Sequence, residues 1–336
     1  METTEFRDLH AHYLAPPTIA RIRAGEFAPA VSVSDEGAGG PRFTFPTGTT
    51  RTMQPAMADL DDRLRHLDEC GIDVQVLSTW IDMFGYDLPE ELAADFHRSI
   101  NEGLAEAASS RPDRFSFFAS VPLPWGDAAA EVLEDAVTRL GAVGSMIGTN
   151  VNGRYLDDER LTAFWRASER LDAPVELHPV NVAAADRLRT HEFANFLGNP
   201  FDTTIAAGSL ILGGVLDRHP GLRFVLVHGG GYLPYALGRL SHGRAARGVA
   251  PDLLRRPEEY LDRFFFDTVV YSPAVLSALA SIVGVDRLVL GTDYPFDMEP
   301  PAVRSMVAET LGEDALATIA RTARSLSCRS ERVEPR

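Results

Sequence analysis

Lysine is missing altogether. All 32 basic residues of this 336-residue chain are arginine, which excludes a Schiff-base lysine, a P-loop lysine and a lysine carbamate bridging two metals. Positive charge is short as well: 48 acidic residues leave a formal net charge of −16 and a pI near 5.0, a balance that argues against a nucleic-acid partner. An anionic substrate stays open, because individual arginines decide that locally. There are two cysteines, Cys70 and Cys328, far apart in sequence and outside any metal-type cluster, so a reduced, cytoplasmic protein is expected. No apolar run is long enough to span a membrane. The most apolar window, Ser277 to Gly291, is interrupted by Asp286 and Arg287, and Met1 to Glu5 holds no signal-peptide core. Gly-x-Gly-x-x-Gly does not follow the first strand, which leaves a dinucleotide-binding fold without its anchor.

What the chain does have is Asp8-Leu9-His10-Ala11-His12. Side chains two apart on an extended strand share a face, so two imidazoles at the end of a strand present themselves to one metal ion. Eight strands follow from the apolar runs: Glu5–His10, Ile72–Ser78, Phe115–Val121, Val143–Thr149, Pro174–His178, Leu222–His228, Phe264–Thr268 and Arg287–Gly291. Helical periodicity separates most of them, as over Ala58–Cys70, where Leu60, Leu64 and Leu67 recur and Gly71 ends the run. Eight alternating units predict an α/β fold, a (β/α)8 TIM-type barrel forming a single domain over 1–336. Residues 13–57 break the pattern with Pro16-Pro17, Gly37 to Pro41 and Pro46, and read as a lid-like insertion after strand 1 in which only Arg42–Phe45 looks like strand. Residues 301–336 read as a C-terminal helical tail.

In such barrels the active site collects at the C-terminal ends of the strands. His10 and His12 end the first predicted strand, His178 the fifth and His228 the sixth, and Asp293 follows the eighth. Three imidazoles and a carboxylate suit zinc, with manganese as the alternative, and leave a position for water whose pKa the metal lowers. His228, on a different strand, fits a general base and acid better than a fifth ligand. Gly229-Gly230-Gly231 behind it permits close approach of backbone and substrate. Glu176 shares the inward face of His178, either as a barrel-interior carboxylate paired with an arginine or as a group serving the site.

His10-Ala11-His12, Leu177-His178-Pro179, His228-Gly229-Gly230-Gly231 and Gly291-Thr292-Asp293-Tyr294-Pro295-Phe296 together resemble the motif set of the amidohydrolase superfamily. Within it they resemble the branch typified by aminocarboxymuconate-semialdehyde decarboxylase. Met83 to Tyr86, Val121-Pro122-Leu123 and Gly238 to His242 extend the likeness over most of residues 8–297. The resemblance implies His10, His12, His178 and Asp293 as metal ligands and His228 as the catalytic histidine. It implies Arg51 and Arg239 as holders of substrate carboxylates, Arg239 reaching the site of the other subunit in a homodimer. Three departures accompany it: Val180-Asn181 after His178-Pro179, Glu176 in place of an aliphatic residue, and Ala320 to Arg324 at the C-terminal turn.

The expected activity is therefore a metal-dependent decarboxylation, without organic cofactor, of a small unsaturated or aromatic carboxylic acid. The absence of lysine already excludes pyridoxal phosphate in its Schiff-base form. His228 and Asp293 are the expected catalytic groups. Hydrolysis of an amide, lactone or carbon–carbon bond at the same metal site is the alternative, and a non-catalytic binding barrel the third reading. Neither a nucleic acid nor a membrane is expected as partner.

Overall fold

The computed structural model describes residues 4–35 and 39–328. Glu36 to Ala38 of the insertion, Met1 to Thr3 and the last eight residues of the expected tail lie outside that range. Twelve strands run in chain order: β1 Arg7–Asp8, β2 His12–Tyr13, β3 Ser32–Ser34, β4 Arg42–Phe45, β5 Gly48–Thr49, β6 Val74–Thr79, β7 Phe115–Ser120, β8 Gly144–Gly148, β9 Val175–His178, β10 Phe224–Leu226, β11 Phe264–Asp267 and β12 Leu288–Val289. Leaving out β3 to β5, the strands pair in the order β1-β6-β7-β8-β9-β10-β11-β12, with β2 continuing β1 alongside β6, and every pairing is parallel. Bridges Asp8 to Leu290 and Ala11 to Tyr294 bring the last strand back to the first. The result is the eight-stranded (β/α)8 barrel expected from the alternation of patterns.

Helices α1 Pro16–Arg23, α2 Leu60–Cys70, α3 Glu90–Ser110, α4 Gly126–Asp135, α5 Thr162–Arg170, α6 Asn199–Leu212, α7 Val215–Arg218, α8 Leu233–Arg247, α9 Pro273–Val283, α10 Val303–Leu311 and α11 Glu313–Ser327 accompany the strands. Local chemistry sets their ends. Asp59 caps α2 by accepting from the Asp62 N–H at 2.9 Å, and Gly71 closes it in the left-handed region at φ 67. Gly214, at φ 68, separates α6 from α7. No helix among the described residues is long and apolar enough to cross a membrane.

Two expectations need correction. The first strand is not continuous to His10: it breaks over Leu9 to Ala11, because the His10 N–H bonds the Asp8 side chain at 3.0 Å rather than a neighbouring strand. The insertion holds more regular structure than Arg42–Phe45 alone. Pro16 and Pro17 start α1 at positions where no backbone donor is needed, and β3, β4 and β5 form a small antiparallel sheet. Alternation of buried Phe43 and Phe45 with exposed Arg42 and Thr44 turns one face of that sheet inward.

The seam between first and last strands matters most for position. Leu9 N donates to Leu290 O at 3.0 Å, His12 N to Tyr294 O at 2.7 Å, and Asp293 N to His10 O at 2.8 Å. Residues from the two ends of the chain are thus stitched backbone to backbone at the strand ends.

Candidate metal centre

His10, His12, His178 and Asp293 are all buried and offer ligand atoms that lie within 4.8 Å of one another. Asp293 Oδ1 stands 3.3 Å from His10 Nε2 and 3.2 Å from His12 Nε2, yet none of these three atoms has a hydrogen-bond partner. Held this close and buried without a hydrogen-bond partner, the three atoms leave their lone pairs for a common ligand-accepting centre. Two ligand atoms each about 2.0–2.1 Å from one tetrahedral ion sit roughly 3.3 Å apart, so these separations match edges of a coordination polyhedron. The residues present therefore fit a divalent ion.

The far sides of the rings fix which nitrogen is free. His12 Nδ1 donates to the Thr79 carbonyl at 3.2 Å and His178 Nδ1 to the Pro179 carbonyl at 3.0 Å. His10 Nδ1 donates to Asp267 Oδ2 at 2.7 Å. Carbonyls and carboxylates only accept, so each ring carries its proton on Nδ1 and keeps the Nε2 lone pair for a metal. Burial lowers His12 below the ordinary imidazole value, and burial with the neighbouring His12, His10 and His228 rings holds His178 well below it. Burial opposes charge on His10 too, but Asp293 and Asp267 beside it raise it well above that value. Burial works to raise Asp293, and the surrounding histidines hold it well below the usual carboxylate range. Positive charge in the pocket is thus drawn to His10, between two carboxylates, while burial favours neutral rings at His12 and His178.

His228 lies two residues beyond the end of β10 rather than on it, with φ 55 in the left-handed region. Its Nε2 stands 3.6 Å from Asp293 Oδ2, and its ring is 5.2 Å from that of His10 and 5.5 Å from that of His178. A cavity of about 240 Å³ opens beside it, lined by Phe196, Val269, Tyr271, Asp293 and Met298. Arg51 is an exposed side chain at the rim of a second cavity of about 530 Å³ that Pro179 and Asn181 also line. Its guanidinium bonds Asp82 through NH2 at 2.8 Å and lies 5.2 Å over the Phe296 ring, which in turn packs 5.1 Å from His12. Arg239, on α8, is not brought to the site within the chain: it lines a separate cavity with Tyr232, Leu240 and Arg247.

Glu176 has no arginine beside it. The fully buried carboxyl accepts from Ser78 Oγ at 2.8 Å and leaves Oε1 without a partner; burial pushes it up to about 8. Cys70, expected outside any metal-type cluster, instead groups with His66 and Glu299, because a residue four back on α2 and another from the far end of the chain meet it in space.

Four supporting residues escaped the sequence reading. Asp267 holds His10 through Oδ2 and accepts from the Gly229 and Val269 N–H groups through Oδ1 at 2.7 and 3.1 Å, linking a metal-competent ring to the turn behind His228. Its signal is a carboxylate ending the otherwise apolar run Phe264-Phe265-Phe266. Asp8 accepts from Thr292 and from Gln75, both at 2.6 Å. Gln75 in turn accepts from Arg63 NH1 at 2.6 Å, while Arg63 NH2 donates to His12 O at 2.5 Å. Arg63 is fully buried, its guanidinium 4.6 Å over the Tyr294 ring. It shares a helix face with Leu60, Leu64 and Leu67, and a charge on that apolar stripe is the signal that it is used.

The amidohydrolase family model matches residues 8–322. The 2-amino-3-carboxymuconate-6-semialdehyde decarboxylase of Dictyostelium discoideum is 36% identical over 245 residues, 71% of this chain and 67% of that protein. The gamma-resorcylate decarboxylase of Rhodococcus jostii (strain RHA1) is 35% identical over 289 residues, 80% of this chain and 88% of that protein. A crystal structure of dihydroxybenzoic acid decarboxylase from Polaromonas sp. JS666, with bound manganese and the inhibitor 2-nitroresorcinol, superposes with a TM-score of 0.78 at 25% identity, over 96% of this chain and 97% of that one. The chain belongs to the amidohydrolase family, as a metal-dependent enzyme of its decarboxylase branch.

Proposed function

We propose that this enzyme removes carbon dioxide from a small aromatic or unsaturated carboxylic acid, with His10, His12, His178 and Asp293 holding the metal. What carries the reading is the convergence of those four residues beside a cavity that His228 faces, in a chain whose relatives act as carboxy-lyases. Three neutral imidazoles and one carboxylate favour zinc, and the manganese of the Polaromonas enzyme makes that ion the alternative. A divalent ion bound there supplies Lewis acidity toward a substrate oxygen and lowers the pKa of a bound water.

The protein's own groups do the rest. Arg51 receives a substrate carboxylate bidentately, exchanging Asp82 for it. Phe196 and Tyr271 wall the cavity for a flat ring. As the carbon–carboxylate bond breaks, its electron pair remains on carbon, and carbon takes up a proton while carbon dioxide leaves. Asp293 and His228, 3.6 Å apart, are the pair through which that proton arrives. Arg239 serves the site of a second subunit in a homodimer. It forms no ion pair with any described residue, and Tyr232 and Tyr235 on the same face of the chain are exposed. The exposed free thiol of Cys328 suits the reducing cytoplasm.

The test is carbon dioxide release by metal-replete protein over a panel of ortho-hydroxybenzoates and carboxymuconate semialdehydes. Release that stops in His228→Ala and after chelation is the expected result. Hydrolysis of esters or amides without any release of carbon dioxide, with metal content verified, would replace the lyase by a hydrolase.

A further inference from the structure

Outside the barrel mouth, His66, Cys70 and Glu299 bring a nitrogen, a sulfur and an oxygen to one point. We propose that these three residues form a second divalent-metal site, of the thiolate–imidazole–carboxylate type that zinc and cobalt occupy, clamping α2 to the loop that carries Asp293. His66 and Cys70 are four apart on α2 and so project from one helix face. Glu299 reaches them from six residues beyond Asp293. His66 Nε2 stands 2.7 Å from Glu299 Oε1 and 3.5 Å from Cys70 Sγ, and all three ligand atoms lie within 4.8 Å of one another.

An ordinary imidazole–carboxylate pair accounts for only part of this. One ring nitrogen carries one proton, and a structural pair would place its two partners on opposite nitrogens. Here Glu299 takes Nε2, and Sγ, 3.5 Å from Nε2 and 4.0 Å from Nδ1, lies over the ring rather than on either nitrogen's lone pair, so the imidazole proton does not account for the thiol. Zinc–ligand distances of about 2.0–2.1 Å to nitrogen or oxygen and 2.3 Å to sulfur give ideal edges of roughly 3.3–3.6 Å. The sulfur–nitrogen separation already has that length, Sγ needs to swing from the ring face toward the Nε2 lone pair, and the nitrogen–oxygen edge needs to open by roughly 0.6 Å. Side-chain exposures of 19% for His66 and 21% for Glu299 leave a path for the ion and room for a water as fourth ligand. Binding expels the thiol proton and any proton on the imidazole.

The remaining contacts say what the clamp would hold. Tyr294, next to Asp293 in the chain, stacks on the His66 ring at 4.3 Å and donates its hydroxyl to Asp62 on α2 at 2.9 Å. A metal on His66, Cys70 and Glu299 thus adds a tie between α2 and the segment 293–299, beside the stack, the hydroxyl bond and the Arg63 guanidinium over the Tyr294 ring.

The experiment is a titration of reduced, metal-free, full-length protein with Co2+ alone, followed by near-ultraviolet absorption. Thiolate-to-cobalt charge transfer reports sulfur ligation, and the barrel set contains no sulfur, so the band reads the second site whatever the first one does. The expected result is a band of one thiolate ligand per chain that saturates by two equivalents of Co2+, the barrel set taking the other, disappears in Cys70→Ser and persists in Cys328→Ser. His66→Gln is expected to weaken it, and the two cysteine variants to keep the parental melting temperature in the absence of metal. No band in the wild-type protein, or a band that survives Cys70→Ser, would overturn the proposal.

Discussion

Asp267→Asn is the sharpest probe of the metal centre, because the substitution keeps shape and changes one atom. The buried carboxylate uses Oδ1 for two backbone donors, Gly229 N at 2.7 Å and Val269 N at 3.1 Å, and Oδ2 for His10 Nδ1 at 2.7 Å. An amide that keeps its oxygen on the backbone donors turns its NH2 toward His10. Two donors then face each other whenever Nε2 is committed to a metal, and the only relief is the tautomer that blocks Nε2. An amide turned the other way leaves two buried N–H groups facing a donor. Either way one charge-assisted hydrogen bond is lost from the metal-bound state, a cost of about 1.5–3 kcal/mol, or roughly 10–100-fold in metal affinity. Competition between metal-free protein and a chromogenic chelator for Zn2+ measures it, with a thermal melt as the control for folding. An affinity within about threefold of the parent, in a variant that melts normally, would falsify the claim that Asp267 sets the His10 tautomer.

Glu176→Gln tests the barrel interior through pH. The native carboxyl titrates near 8 and the unfolded one near its ordinary value, so between those limits the unfolded state binds fewer protons and stability falls as pH rises. The glutamine variant, lacking that loss, is expected to gain on the wild type by up to about 1.4 kcal/mol per pH unit across that window, in urea unfolding of metal-free protein; a pH-independent difference would show that Glu176 is already ionised. Arg63→Met strips the donors from Gln75 and the His12 carbonyl and is expected to destabilise by about 3 kcal/mol or more, read from the shift of the urea midpoint, with a loss below about 1 kcal/mol counting against the network. Arg51→Met is expected to raise KM for a carboxylate substrate about tenfold with a smaller change in kcat. A fall in kcat at constant KM would place Arg51 in the chemistry and not in binding.

The barrel was legible because its signals are local and repeated. Val74 to Thr79 and Phe264 to Asp267 are apolar runs buried on both faces, as parallel strands require, and each ends in a turn. The metal-competent set was legible because His10, His12, His178 and Asp293 stand at such ends. The supporting shell was not. Asp267 looks like the polar close of a strand until His10 arrives from 257 residues away, and the Arg63 pairing depends on which way α2 lies against the seam. The small sheet of β3 to β5 is short and half exposed, so its pairing rests on contacts that no periodicity encodes. Cys70 and His66, four apart on a predicted helix, were not read as a pair, and Glu299 joins them only through the fold.

The seam where β12 meets β1 carries a consequence for synthesis. A ribosome delivers His10 and His12 first and Asp293 among the last residues of the barrel, and the stitches Leu9–Leu290, His12–Tyr294 and Asp293–His10 all wait for that moment. A chain released early owns three of the four groups and has no fourth wall. With the proposed ligand set, metal binding would therefore report completeness: the full set of four ligands exists only in a molecule whose first and last strands have met.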